Sequence, residues 1–172
     1  LAPHLKTPKD RQQLESLLSH LETQIAGDPT SSDNNIYLAR AQRLRIIDLI
    51  VQDNVSEAVA LAYKSWTQWQ AFTKGKSPTP KMNLVSVMLE EAIGTAYAAA
   101  GQSEKAKQHW LHSAASLDSK KQKNLSELAV RRLLALNLGQ SEKAKEIEQQ
   151  LLQAGFKDPR MQPAFTLSGQ FR

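Results

Sequence analysis

The sequence has no cysteine, which excludes disulfide bridges, thiolate metal ligands and cysteine nucleophiles. Aromatic residues make up only 6% of the 172 residues, and no segment approaches the roughly 18 consecutive apolar residues that a membrane-spanning helix needs. The net charge of +5 is too small, and the apolar share of 41% too large, for a wholly disordered chain. The composition therefore predicts one folded domain without a membrane span. Its location, cytoplasmic or periplasmic, stays open.

Apolar residues recur at helical spacing along most of the chain, and no segment shows the alternation of a strand. Thr7 and Pro8 predict the start of a first helix, because threonine caps helices and proline suits the first turn. The segment 74–80 contains two prolines and is predicted to be a loop. The pattern thus predicts seven helices, at about 8–27, 36–53, 55–73, 82–100, 103–117, 125–138 and 141–154.

One seven-residue segment, GQSEKAK, occurs at 101–107 and again at 139–145, 38 residues later. Periods of about 20–50 residues are typical of stacked helical units. In each copy we expect glycine to end one helix, serine to cap the next and alanine to allow close helix contact. An earlier unit, anchored on Ala58, precedes the unit of Ala106 by 48 residues. The sequence therefore predicts stacked helical hairpins.

The first copy and its surroundings resemble the tetratricopeptide repeat. The family's order of small residue, aromatic, turn glycine, small residue and second aromatic falls on Gly94, Tyr97, Gly101, Ala106 and Trp110. The second copy keeps the corner residues and departs elsewhere: Gly139 and Ala144 match, whereas Arg132, Ala135 and Glu148 do not.

The resemblance implies an all-α fold, a right-handed α-α superhelix of antiparallel hairpins. A capping helix and loop would occupy residues 1–33, about three hairpins 34–154, and an extended tail 155–172, in a single folded unit. In such arrays the first helix of each hairpin lines a concave groove that binds a partner. The nominated groove residues are Arg40, Arg43, Ile47 and Ile50, then Met88, Glu91, Thr95 and Ala98, then Ser126, Ala129, Leu133 and Leu136.

This predicted groove is mainly apolar with a basic end, which suits an extended or helical peptide that carries an acidic group. The alternative is that its leucines are core residues and its arginines are solvated. A second ambiguity concerns Trp66, Trp69 and Phe72, which lie within seven residues. They form either an exposed anchor for a partner or, as we favour, part of the core.

No group of residues predicts catalysis, a metal or a cofactor. The segment 75–77, GKS, lacks the earlier glycine of a phosphate-binding loop. His109 and His112 are three residues apart on a predicted helix but have no evident third ligand. The adjacent Glu90 and Glu91 point about 100° apart on a helix, which makes them a poor acid/base pair. We therefore expect no enzyme activity.

Asn54 and Asn124 both fit the glycosylation acceptor pattern, and both also fit the start of a helix. We favour helix capping at both positions.

These features predict a non-catalytic scaffold for a protein or peptide partner. Because the sequence starts with Leu1, we expect it to belong to a larger bacterial signalling or regulatory protein. Two alternatives stay open: self-association through an exposed end of the array, and nucleic-acid binding, which the diffuse spread of positive charge disfavours. A further alternative is a regulator of a bound catalytic partner.

Overall fold

The computed structural model describes residues 7–118 and 124–156. These residues form seven α-helices and no β-strand, which confirms the all-α prediction. The helices are α1 (Pro8–Gly27), α2 (Ser32–Val51), α3 (Val55–Thr73), α4 (Pro80–Ala99), α5 (Ser103–Asp118), α6 (Leu125–Asn137) and α7 (Ser141–Gln153). Nearly all of the predicted C-terminal tail, residues 157–172, lies outside the described residues.

Side-chain caps start several helices where the sequence predicts them. Thr7 and Asp10 form a reciprocal capping box at α1, in which the Asp10 amide donates to the Thr7 hydroxyl at 3.2 Å. Asn124 and Glu127 do the same at α6, so the capping interpretation of Asn124 is confirmed. Asn54 occupies the cap position of α3 without a side-chain hydrogen bond.

Two predicted boundaries are wrong. α4 begins at Pro80 rather than near Met82, because the Thr79 hydroxyl accepts the Met82 amide at 3.2 Å and proline fits the first helical position. α2 begins at Ser32, where the Ser31 side chain accepts the Asn34 amide, so part of the predicted polar loop is helical.

The repeated corner has the same backbone in both copies. Gly101 and Gly139 have φ values of +73° and +72°, a conformation that only glycine adopts at little cost. Ala106 and Ala144 are buried, as predicted. The predicted serine cap is wrong in both copies, because Ser103 and Ser141 are the first residues inside α5 and α7. At α7 Gln140 holds the cap position without a side-chain hydrogen bond.

The helices pack as three sequential pairs, α2 with α3, α4 with α5 and α6 with α7. In addition, α2 packs against α4, and α4 against α6, while α1 packs against α2. The largest apolar core lies among α2, α3 and α4, and includes Ile46, Leu49, Ala58, Leu89 and Ile93. Smaller apolar clusters join α1 to α2, α4 to α5 and α6, and α6 to α7.

The aromatic residues of α3 belong mainly to this core. Trp69 and Phe72 are buried, with ring centroids 5.5 Å apart, and Trp69 Nε1 donates to the Ser86 hydroxyl at 2.7 Å. Trp66 is half-buried, packs against the same core and meets the His109 ring edge-on. The core interpretation is confirmed for Trp69 and Phe72.

None of the helices within residues 7–118 and 124–156 combines the length and hydrophobicity that crossing a membrane requires.

Candidate functional site

The first helices of the first two hairpins lie side by side and run parallel. Lys81 Nζ contacts Asp33 Oδ1 at 2.9 Å, and Arg43 Nη2 contacts Glu91 Oε2 at 3.3 Å. The residues of each pair are 48 positions apart, which matches the spacing predicted between the first two units. This register places Arg40 of α2 level with Met88 of α4.

The first helix of the third hairpin continues this row. Asn137 Nδ2 donates to Glu91 Oε1 at 3.2 Å, and Val130 and Leu134 pack in one cluster with Val87. Residues further along α4 contact residues further along α6, so α6 runs parallel to α4. The helices α2, α4 and α6 therefore form one parallel row.

A buried polar network joins the three helices of the row through Glu91. Its carboxylate pairs with Arg43 and accepts hydrogen bonds from the Thr95 hydroxyl at 3.2 Å and from Asn137. Arg43 Nε also donates to the Met88 carbonyl at 3.1 Å. Arg43 and Glu91 are only 7% and 6% exposed. The network holds α2, α4 and α6 in register.

The structure thus divides the six nominated partner-binding residues. Arg43, Glu91 and Thr95 are brought together in the buried network, and Ile47 lies in the apolar core. A partner could not touch these four side chains without displacing their present neighbours. Arg40 and Met88 are half-buried and remain accessible, so they keep the predicted role as candidates.

The accessible residues of the row define a surface that we call the open side. On α2 it comprises Tyr37, Arg40, Leu44 and Val51, which share one helical stripe while α1, α3 and α4 cover the other sides; Leu44 also packs partly against the α1/α2 cluster. On α4 it comprises the partly exposed Leu84 and Met88, which also pack against the cluster that α4 shares with α5 and α6, and on α6 the partly exposed Leu133. The sequence-based prediction missed Tyr37, Leu44 and Leu84, although the spacing of 37, 40 and 44 signals such a stripe.

Arg40 differs from every other arginine in the described ranges. Its side chain is half-buried, yet the guanidinium has no hydrogen bond or ion pair within residues 7–118 and 124–156. The other arginines all have partners: Arg11 and Arg45 contact Asp48, Arg43 contacts Glu91, Arg132 contacts Glu148, and Arg131 is also engaged. Arg40 is therefore the one described guanidinium that an external anion could occupy directly.

A second polar cluster surrounds Glu90, on the side of α4 that faces α5. His112 Nδ1 lies 2.8 Å from both carboxylate oxygens, His109 Nδ1 lies 3.5 Å from Oε1, and the Ser113 hydroxyl donates to Oε2 at 3.1 Å. Burial raises the pKa of Glu90, but the hydrogen bonds from His109 and His112, the charge of His112 and the Ser113 hydroxyl outweigh it. The pKa of Glu90 therefore lies below its ordinary value.

Glu90 and Glu91 thus serve different contacts. Glu90 faces the histidines of α5, whereas Glu91 faces Arg43 and Asn137. The two carboxylates do not converge on one point, in line with their adjacent positions on a helix.

The residues that resemble the tetratricopeptide repeat lie at the α4/α5 contact. A Cβ atom on Gly94 would fall 2.4 Å from Trp110 Nε1, so the indole packs directly on the glycine backbone. Trp110 Nε1 donates to the Glu91 carbonyl at 3.2 Å. Tyr97 stacks on His109 with 5.6 Å between ring centroids. These residues pack α5 against α4 and so close the hairpin.

Within the described part of the chain, no three or more His, Asp or Glu side chains are arranged to hold a metal ion. Comparisons with protein-family models, with curated proteins and with solved structures found no match to this chain.

Proposed function

We propose that this chain is a non-catalytic interaction scaffold that binds a protein or peptide partner on the open side. The observation that carries the proposal is the open side itself, where exposed Tyr37 and half-buried Leu44 and Met88 surround the unpaired Arg40. Tyrosine and arginine are enriched among the residues that dominate binding energy in protein interfaces. A surface of this composition favours a partner that is partly apolar.

We also propose that the hairpins form a tetratricopeptide-like, right-handed α-α superhelix. In such arrays each first helix packs against the first helix of the next hairpin, and the row of first helices binds the partner. The parallel row of α2, α4 and α6 and the glycine corners at Gly101 and Gly139 support this arrangement.

The engagement of the buried carboxylates supports a non-catalytic role. Glu90 is held by two histidines and a serine, and Glu91 by Arg43, Thr95 and Asn137. Each of these contacts ties one helix of the array to another or fixes a side chain on its own helix. The described contacts of Glu90 and Glu91 thus stabilise the packing of the helices.

The two ends of the described array favour a partner over self-association. The outer faces of α1 and α7 carry mainly polar residues, with Leu17 and Leu152 as the large exposed apolar side chains on these two helices. A terminal helix with a polar outer face can remain in contact with water and needs no further unit to cover it. The open side therefore is the better candidate for binding than either end.

A random peptide library displayed on phage and selected against the full chain tests the proposal. We expect enriched peptides whose affinity falls by about tenfold or more on Tyr37→Ala, the loss of one aromatic anchor. Tyr63→Ala is the matched control, since Tyr63 and Tyr37 are 68% and 50% exposed and Tyr63 lies on α3, outside the row of first helices. The proposal fails if no peptide is enriched, or if the two variants weaken binding equally.

A further inference from the structure

We propose that Arg40 anchors a single carboxylate of the partner, and that the partner is an otherwise apolar peptide. This inference rests on the proposed function and specifies the chemistry of its ligand. It starts from the contrast between Arg40, which has no polar partner within residues 7–118 and 124–156, and the other described arginines, which all have one.

The carboxylates of the neighbouring helices are committed elsewhere. Asp33 contacts Lys81, Asp48 contacts Arg11 and Arg45, and Glu91 contacts Arg43. No carboxylate of α2 or α4 within the described residues contacts Arg40. Any carboxylate that pairs with Arg40 must therefore come from another part of the chain or from a second molecule.

The position of Arg40 favours a carboxylate over water as its final partner. The side chain is half-buried, so it has given up part of its hydration, which an ion pair with charge-assisted hydrogen bonds can replace. The planar guanidinium presents its donors in a fork that matches the two oxygens of a carboxylate. A buried arginine–carboxylate pair already exists nearby, where Arg43 Nη2 contacts Glu91 Oε2 at 3.3 Å.

The surroundings of Arg40 define the rest of the ligand. Tyr37 and Leu44 lie about one turn before and after it on α2, Met88 lies level with it on α4, and Leu133 continues the surface on α6. The nearby Lys81 is held by Asp33 and by the face of Tyr37. One unpaired cation among apolar side chains fits a peptide with one acidic residue flanked by apolar residues. It does not fit a polyacidic segment.

Charge reversal tests this inference directly. Three phage libraries of short peptides, with the central residue fixed as Glu, Gln or Lys and all others random, are selected against the full chain and against its Arg40→Glu variant. We expect the parent chain to enrich the Glu library and the variant to enrich the Lys library. The best Glu peptide should lose about tenfold or more in affinity on Arg40→Glu, and similarly when its own Glu is changed to Gln.

Lys107→Glu is the matched control, because it makes the same change of charge at an exposed position of α5. It should leave the affinity for the Glu peptide about unchanged. Circular dichroism and the thermal midpoint of both variants verify that they are folded like the parent chain.

The outcomes separate the two proposals. Peptides that bind without preference for Glu, and that tolerate Arg40→Glu but not Tyr37→Ala, would overturn the carboxylate anchor and leave the scaffold proposal standing. Enrichment from none of the libraries would reject both. A dimer in sedimentation that Arg40→Glu dissociates would identify a second copy of the chain as the occupant and overturn the peptide ligand.

Discussion

The second and third hairpins share an identical corner sequence, but their two paired helices contact each other through different side chains. In the α4/α5 hairpin the Trp110 ring packs on Gly94, where a Cβ would fall 2.4 Å from the indole nitrogen. The residues 38 positions later, Arg132 and Glu148, form an ion pair in which Arg132 Nε and Nη2 both donate to Glu148 Oε2, at 3.1 Å and 3.0 Å. At equivalent positions, the paired helices are thus joined by packing of Trp110 on the Gly94 backbone in one hairpin and by the Arg132–Glu148 ion pair in the other.

The difference extends through the same interface. The α4/α5 hairpin has a polar cluster, whereas three of the four corresponding positions of the α6/α7 hairpin are apolar: Glu90, His109 and Ser113 correspond to Leu128, Ile147 and Leu151. The counterpart of His112 is the exposed Gln150. The corner residues set the backbone of both hairpins, while the interface tolerates either chemistry as long as its polar groups are satisfied. Stability should therefore depend on different interactions in the two hairpins.

Trp110→Ala should have the largest effect on this comparison. The change removes a ring that packs on Gly94 and the hydrogen bond to the Glu91 carbonyl, and it leaves a cavity between α4 and α5. We expect a loss of about 3 kcal/mol in the free energy of unfolding, at the low end for tryptophan because the side chain is half-buried. Urea denaturation followed by circular dichroism measures it. Leu111→Ala, at the exposed next position, should cost far less, and equal losses would contradict the packing role.

Glu148→Ala should have the next largest effect, because it leaves the buried Arg132 guanidinium without its carboxylate. Breaking a buried pair costs about 3–5 kcal/mol, and we expect about 2 kcal/mol here since Glu148 is partly exposed. Glu146→Ala, an exposed glutamate on the same helix, is the control.

The double variant Arg132→Met/Glu148→Leu sharpens this test. It removes both charges and replaces the ion pair with an apolar contact. Its free energy of unfolding should therefore be higher than that of Glu148→Ala alone. A double variant that is less stable than Glu148→Ala would contradict this expectation, because the unpaired Arg132 would then cost less than the apolar replacement does.

Local signals in the sequence predict most of the helix starts. Thr7 and Pro8 predict the start of α1, which the structure confirms. The same dipeptide at Thr79 and Pro80 falls in the segment 74–80, which is predicted to be a loop because Gly75 and Pro78 precede it, yet it starts α4 in the same way. Caps and glycine corners are predictable because the interactions that form them lie within a few residues.

The candidate site was harder to predict, because it depends on which side of each helix its neighbours cover. α2 has apolar residues on several faces, so spacing alone did not distinguish the side that holds Arg43 from the side that holds Arg40. The pairing of Arg43 with Glu91 joins residues 48 positions apart and requires the register of two helices. No local pattern contains that information.

Glu90→Gln should have the smallest effect, and one that depends on pH. At neutral pH the ionised carboxylate accepts charge-assisted hydrogen bonds from His112 and Ser113, so its loss should cost about 1.5 kcal/mol. Because the folded-state pKa of Glu90 lies below its ordinary value of 4.5, the carboxylate stabilises the fold above that pH, and this contribution is lost as the pH falls through the folded-state pKa.

Urea denaturation of the parent chain and of Glu90→Gln over a range of pH measures this loss. The two stabilities should converge as the pH drops below 4.5, whereas Glu104→Gln, at an exposed position of α5, should follow the parent chain throughout. The apolar cluster of the α6/α7 hairpin has no corresponding carboxylate, so Leu128→Ala should destabilise the chain by the same amount at each pH. If the difference in stability between Glu90→Gln and the parent chain stays constant at acidic pH, the charge of Glu90 does not contribute to the stability of its hairpin.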